Sequence, residues 1–185
     1  MKLLRILSWV AATAILALVA SAGVAAAENR DSEEITQLLE RVRSHVAQAD
    51  YDAHTLESYT RSQLHWKTHA AQLDRIREHV NNLITDTNEM VSMRSEGSPW
   101  QREAVDRISV LLPEISAHMT TTINHLKDNQ NRVQMKPYRD LAVANRDLIH
   151  HANEVISDMV DYGEAKAKAD LLEQQLQMPA PEKAS

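Results

Sequence analysis

Past residue 27 the chain holds only two glycines, Gly97 and Gly163, so the backbone has few places at which it can reverse freely. Phe is absent, and the apolar content is mainly Leu, Ile, Val, Ala and Met among many Glu, Gln, Lys and Arg. Scarce turn residues and abundant helix formers mean long helices. The expected fold class is therefore all-α: an elongated antiparallel helical bundle of about four helices, with bends near Pro113 and Gly163.

The apolar stripe, followed at helical periodicity, sets the organisation. A first helix is expected from about Ser32 to Ala49, with Ile35, Leu38, Leu39, Val42 and Val46 on one face. A second stripe runs through Tyr59, Trp66, Ala70, Leu73, Ile76, Val80, Leu83, Ile84 and Val91. One continuous helix would rotate the stripe by roughly 150° between them. A turn near Asp50-Tyr51-Asp52 is expected instead, with Asp52 or Thr55 capping the next helix. In "RSEGSPWQRE", Gly97 reads as a helix C-cap with positive φ, Ser98 as the next N-cap and Pro99 as the first helical residue. Gln101 sits at the capping-box spacing from Ser98. Helix three carries Val105, Ile108, Leu112, Ile115, Met119, Ile123 and Leu126, keeping phase across Pro113, which predicts a kink. Asn129, Asn131 and Pro137 mark the next turn. Helix four then carries Leu141, Leu148, Ala152, Val155, Met159 and Tyr162. After Gly163 the leucines at 171, 172 and 176 run roughly 135° out of phase, which predicts a bend and a last helix ending near Met178. Helices two and four are each expected to approach 40 residues, or roughly 60 Å.

The N-terminus has a separate logic. Met1-Lys2-Leu3-Leu4-Arg5 is short and basic, Ile6 to Val19 is apolar apart from Ser8 and Thr13, and small residues lead to Ala25-Ala26-Ala27. That order reads as a secretory signal peptide over 1–27, followed by a bundle domain over 28–178 and a disordered tail over 179–185. The expected location is periplasmic or secreted. Contact with a membrane is expected only through an uncleaved signal segment. Residues 1–27 contain Lys2 and Arg5 and no acid, so their removal takes the net charge from −6 to −8. A negative chain with no basic run is a poor nucleic-acid binder. Zero cysteines exclude disulfides, thiolate metal sites and covalently attached haem.

The segments "HWKTHAAQLDRIREHVNNL", "SPWQREAVDRI", "TTINHLKDNQNRV", "PYRDLAVAN" and "DYGEAKAKADLLEQQL" resemble a group of uncharacterised, secreted, all-helical bacterial proteins. The resemblance spans most of Thr55 to Leu176. It implies an exported helical bundle and brings no activity, cofactor or site residue with it.

Nine histidines are the one enriched chemical group. In "HWKTHA", His65 and His69 are four residues apart, hence neighbours on one helix face, and are the candidate metal ligands. In heptad terms Trp66 shares a position with Leu73 and Val80, and His69 with Ile76 and Leu83. That phase directs Trp66 and His69 to the core, His65 to its rim, and Lys67 and Thr68 to water. Two nitrogens do not complete a tetrahedral site, and a half-buried neutral imidazole needs no metal. The general base of H-E-x-x-H is missing because Trp66 follows His65, and no Glu-x-x-His occurs for a di-iron bundle. Extra ligands from His118, His125, His150 or His151 are conceivable, but no sequence rule places them. Noncovalent haem needs a core histidine, with His69, His151, Met90, Met119 and Met159 as the available residues, and "MVSM" offers soft thioethers to Cu(I). Methionine at helical spacing is ordinarily a core filler, so no cofactor is expected. A Gly-rich phosphate loop and a G-x-S-x-G elbow are both absent, and no catalytic residues are assigned. The functional expectation is an exported, non-enzymatic bundle that binds a protein or envelope partner, or self-associates, through its helix faces. The alternative is a metal- or haem-binding bundle that uses core and rim histidines.

Overall fold

The computed structural model describes residues 30–177; the expected signal peptide and tail lie outside them. Four helices follow in order: α1 Glu33–Tyr59, α2 Trp66–Ser92, α3 Pro99–Asp128 and α4 Lys136–Gln177. Single 3₁₀ turns, Arg94–Glu96 and Gln130–Arg132, lie in the second and third connections. α1 packs against α2 and α4, and α3 packs against the same two, which closes a ring of antiparallel neighbours. The expected all-α bundle is what the chain forms. No helix of the described residues is long and apolar enough to cross a membrane.

The core is the expected stripe. Ile35, Leu39, Val42 and Val46 of α1 are buried with Ile76 and Leu83 of α2, Ile108 and Ile115 of α3, and Ile149 and Ile156 of α4. Each such side chain contributes roughly 1.5–3 kcal/mol on leaving water. Buried polar groups set the register between helices. The Gln101 side chain accepts from the backbone N–H of Ser98 (3.0 Å) and of Ser32 (2.8 Å). It donates to Ser32 O (2.9 Å) and Thr36 Oγ1 (3.0 Å). One amide thus serves the start of α3, as its spacing predicts, and also the start of α1. Asn145 of α4 donates to Thr122 Oγ1 of α3 and to Leu141 O of its own helix.

Three expectations about the backbone are corrected. The first break falls at residues 60–65 and not at Asp50-Tyr51-Asp52, because α1 continues to Tyr59. Ala49, Ala53 and Leu56 carry the stripe onward, and Asp52 is held from α2, where Gln72 Nε2 donates to its Oδ1 (2.8 Å) and its carbonyl (3.0 Å). The helix stops where Ser58, Thr60 and Ser62 donate to the carbonyls of Thr55, Glu57 and Tyr59, which offers the backbone an alternative to further helix. α2 consequently has 27 residues and not about 40, and His54 and Tyr59 belong to α1.

Gly97 has φ −77° and ψ 153°, so it is extended and is not a positive-φ cap. Its constraint is proximity: a Cβ there would lie 2.9 Å from Ile35 Cδ1. Gly163 does not interrupt a helix either. α4 runs unbroken for 42 residues, about 63 Å at helical rise. A Cβ at Gly163 would sit 2.8 Å from Trp100 Cζ2 and closer still to Cη2. The indole lies across the glycine, donates from Nε1 to Asp31 Oδ1 at 2.7 Å and meets Tyr162 edge-on. Pro113 is exposed within α3, which stays helical on both sides of it. Past Gly163, α4 extends beyond the bundle, and Leu171, Leu172 and Leu176 lie exposed on it.

Candidate metal centre

The two candidate ligands of "HWKTHA" are not brought together as a site. His65 is the exposed N-cap of α2, and its Nδ1 accepts from Lys67 N at 3.3 Å. The cap role replaces the expected rim position, because the helix begins at Trp66 and not ten residues earlier. His69 is fully buried as expected, and neither ring nitrogen has a hydrogen-bond partner. Its ring stands edge-on between Tyr59 of α1 (5.9 Å between centroids) and Tyr138 of α4 (5.4 Å). Burial lowers its pKa from the usual 6.5 and so keeps the imidazole neutral. Trp66 is half-buried against the core, Lys67 is exposed and Thr68 is intermediate. His65 and His69 belong to no cluster of three ligating groups among the described residues.

A different cluster does form on the seam between α1 and α4. Asp50 and His54, one turn apart on α1, meet His150 of α4, with one ligating atom from each lying within 4.8 Å of the others. His54 Nδ1 is 3.2 Å from Asp50 Oδ1, and His150 Nδ1 is 3.2 Å from Asp50 Oδ2. The edges of a tetrahedral site with bonds of 2.0–2.2 Å are about 3.3–3.6 Å, and each histidine stands about that far from the carboxylate, His54 at one oxygen and His150 at the other. The two imidazoles meet edge-on at 5.6 Å and are half-exposed, with His54 Nδ1 also 3.0 Å from the Asp50 carbonyl oxygen, whereas the Asp50 carboxylate is largely covered. Asp50 Oδ1 has no hydrogen-bond donor.

Supporting groups surround the cluster. Asn153 Nδ2 donates to Asp50 Oδ2 at 3.1 Å and fixes the carboxylate plane. Glu154 Oε1 lies 3.7 Å from His150 Nε2. A histidine that offers Nδ1 inward and turns Nε2 toward a carboxylate has the arrangement that orients metal-bound imidazoles and makes them more basic. The hydrogen bond to Asp50, and then its charge, raise the pKa of His150 above 6.5 against slight desolvation. A cation here competes with a proton for the same atoms.

A second histidine pair occupies the α1–α2 seam. His45 Nε2 is 3.6 Å from Asp86 Oδ2, and His79 Nε2 is 3.4 Å from Asp52 Oδ2, the rings being 6.5 Å apart. Arg41 already binds Asp86 at 3.2 Å, so these groups pair off across a seam and do not converge on one point. The residues considered for haem are likewise dispersed. His151 is exposed on α4, Met90 and Met119 fill the core, and Met159 is partly buried. Met93, partner of Met90 in "MVSM", is also partly buried against the core.

Sequence reasoning missed the Asp50–His54–His150 cluster for a specific reason. Placing a turn at 50–52 set Asp50 before the break and His54 after it. The signal was present as D-x-x-x-H, an acid and a histidine one turn apart in a stretch that α1 keeps helical. No protein family, curated protein or solved structure matches the chain.

Proposed function

We propose that this protein is an exported, non-enzymatic helical bundle that binds one divalent transition-metal ion between its first and last helices. The observation that carries the reading is the convergence of Asp50, His54 and His150 from two helices about 100 residues apart in sequence. Two imidazoles and a carboxylate suit Zn²⁺, Ni²⁺ or Cu²⁺, and solvent would supply the remaining coordination positions. The open setting favours holding or handing over the ion rather than catalysis. Both histidines face water, and no closed pocket surrounds them to exclude it or to orient a substrate. Export rests on the basic, apolar and small-residue order of residues 1–27.

Calorimetric titration of metal-free protein with Zn²⁺, Ni²⁺ and Cu²⁺ tests the site. One equivalent should bind, and His54→Ala, His150→Ala and Asp50→Asn should each abolish that binding while keeping the helical circular dichroism of the parent. His65→Ala should leave the titration unchanged. Absence of binding in the parent, or loss through His65, would refute the proposal. Contact with a protein partner is a second reading, favoured by the leucines exposed at the end of α4.

A further inference from the structure

We infer that residues 164–177 of α4 form a parallel pairing helix for a second copy of this chain. Along this segment Lys166 alone is even partly shielded; the other residues are exposed. Leu171 is 59 % exposed, Leu172 51 % and Leu176 86 %. A solitary helix of about 14 residues is marginal in water, and three exposed leucines add nothing to it unless something covers them.

The pattern specifies what covers Leu172 and Leu176. Ala165, Ala169, Leu172 and Leu176 follow one another at spacings of four, three and four, the a/d seam of a two-stranded coiled coil. At 100° per residue this seam points roughly 180° away from the face on which Ile149, Ile156, Val160 and Gly163 meet the bundle. A partner helix on the seam therefore lies on the far side of α4 from its own bundle, and the two bundles flank the pair without collision. The small side chains of Ala165 and Ala169 let the helices approach where they leave the bundles.

The flanking charges choose the partner and its direction. Lys166, off the seam, is satisfied within the chain by Asp170 (2.7 Å) and by Asp31 (3.9 Å). Lys168 and Glu173 have no ion-pair partner among the described residues, and they occupy the g and e positions beside the seam. In a parallel pair, g of one helix faces e of the other five residues on, so Lys168 meets Glu173 of the second copy twice. In an antiparallel pair, Lys168 would face Lys168 and Glu173 would face Glu173. Above Ala165 the same outward face carries Glu154 and Asp158, whose like charges hold the two bundles apart and confine pairing to the extension. Two heptads bury less than the ~1,600 Å² of a standard stable interface, so association should be weak, with a dissociation constant on the order of 100 µM.

Sedimentation equilibrium from 10 µM to 1 mM, in chelator to remove metal bridging, tests the inference on the full chain. The parent should pass from monomer to dimer across that range. Leu172→Asp with Leu176→Asp should stay monomeric throughout, with an unchanged melting temperature for the bundle. Lys168→Glu should weaken association at least tenfold, and adding Glu173→Lys should restore it. A parent monomeric at 1 mM would overturn the inference, as would a dimer indifferent to the leucine changes. Stronger association in Lys168→Glu would overturn the parallel arrangement. Because His54→Ala should not alter the dimer, failure here is distinct from failure of the metal site.

Discussion

Replacing Gly163 by Ala sets two physical effects against each other. Within a helix interior, Ala in place of Gly is worth about 1 kcal/mol in favour of the folded state. The structure predicts the opposite outcome. The new Cβ would lie 2.8 Å from Trp100 Cζ2 and still nearer to Cη2, so the indole has to move by the better part of an ångström. Overfilling a packed site costs about 1–3 kcal/mol. The ring is pinned by its 2.7 Å hydrogen bond to Asp31, and lengthening a bond to a charged acceptor costs roughly a further 1.5 kcal/mol. The net is a loss of roughly 2 kcal/mol, or about 4–8 °C in melting temperature for a domain of this size. Thermal unfolding followed by circular dichroism at 222 nm measures it. Repeating the substitution in a Trp100→Leu background, where the obstacle is gone, should reverse the sign and give the helix-propensity gain. A rise in melting temperature for Gly163→Ala alone would refute the packing argument.

Three further outcomes follow from the same contacts. His69 resists protonation in the folded state while the unfolded chain titrates normally at 6.5, so its contribution is intact above that pH and erodes as pH falls below it. His69→Leu should match the parent to within about 1 kcal/mol at pH 8 and unfold at higher urea at pH 5; parallel curves at both pH values would exclude a buried neutral imidazole. Burial alone would raise the pKa of Glu57, but hydrogen bonds and charge from Arg146 and Arg61 outweigh it and leave the value below 4.5. Its stabilisation is therefore complete above pH 4.5 and lost as pH drops through the folded value; Glu57→Gln should cost on the order of 2 kcal/mol at pH 7 and progressively less as pH falls below 4.5, by denaturant titration. Gly97→Ala should cost about 1 kcal/mol through Ile35 Cδ1, and Ile35→Val in the same chain should cost less than it does alone, so strict additivity would argue against that contact.

The parts of the fold that were legible are those decided locally. Ser98, Pro99 and Gln101 announce the start of α3 because capping and proline geometry act within one turn. His69 is buried because its phase matches Ile76 and Leu83, which are buried with it. The errors arose where a distant group decides. Asp50 and Asp52 resemble helix breakers until Asn153 and Gln72 bind them across the seams. Gly97 and Gly163 look like conformational glycines, yet each is required by a side chain far along the chain, Ile35 or Trp100. The candidate site depends on both kinds of information. Asp50 and His54 are a local pair, but His150 joins them through the register of α1 against α4, which only packing sets.

The ring of four helices has a consequence for how the chain can be assembled. Three of its seams join helices consecutive in sequence, and the fourth joins α1 to α4 through pairs such as Asp50–Asn153, separated by 103 residues. Two hairpins, α1–α2 and α3–α4, are thus the natural halves, and the short connection from Met93 to Gly97 is the only covalent link between them. Cutting there touches only Met93 and Gly97 at the edge of the core, and it leaves Gln101 with its bonds to Ser32 and Thr36 intact. The halves should recognise each other as separate polypeptides and rebuild the bundle on mixing, the way complementary fragments of a divided protein do. Because Asp50 and His54 lie on one fragment and His150 on the other, metal would then act as glue between two molecules, and reassembly itself would report on the site.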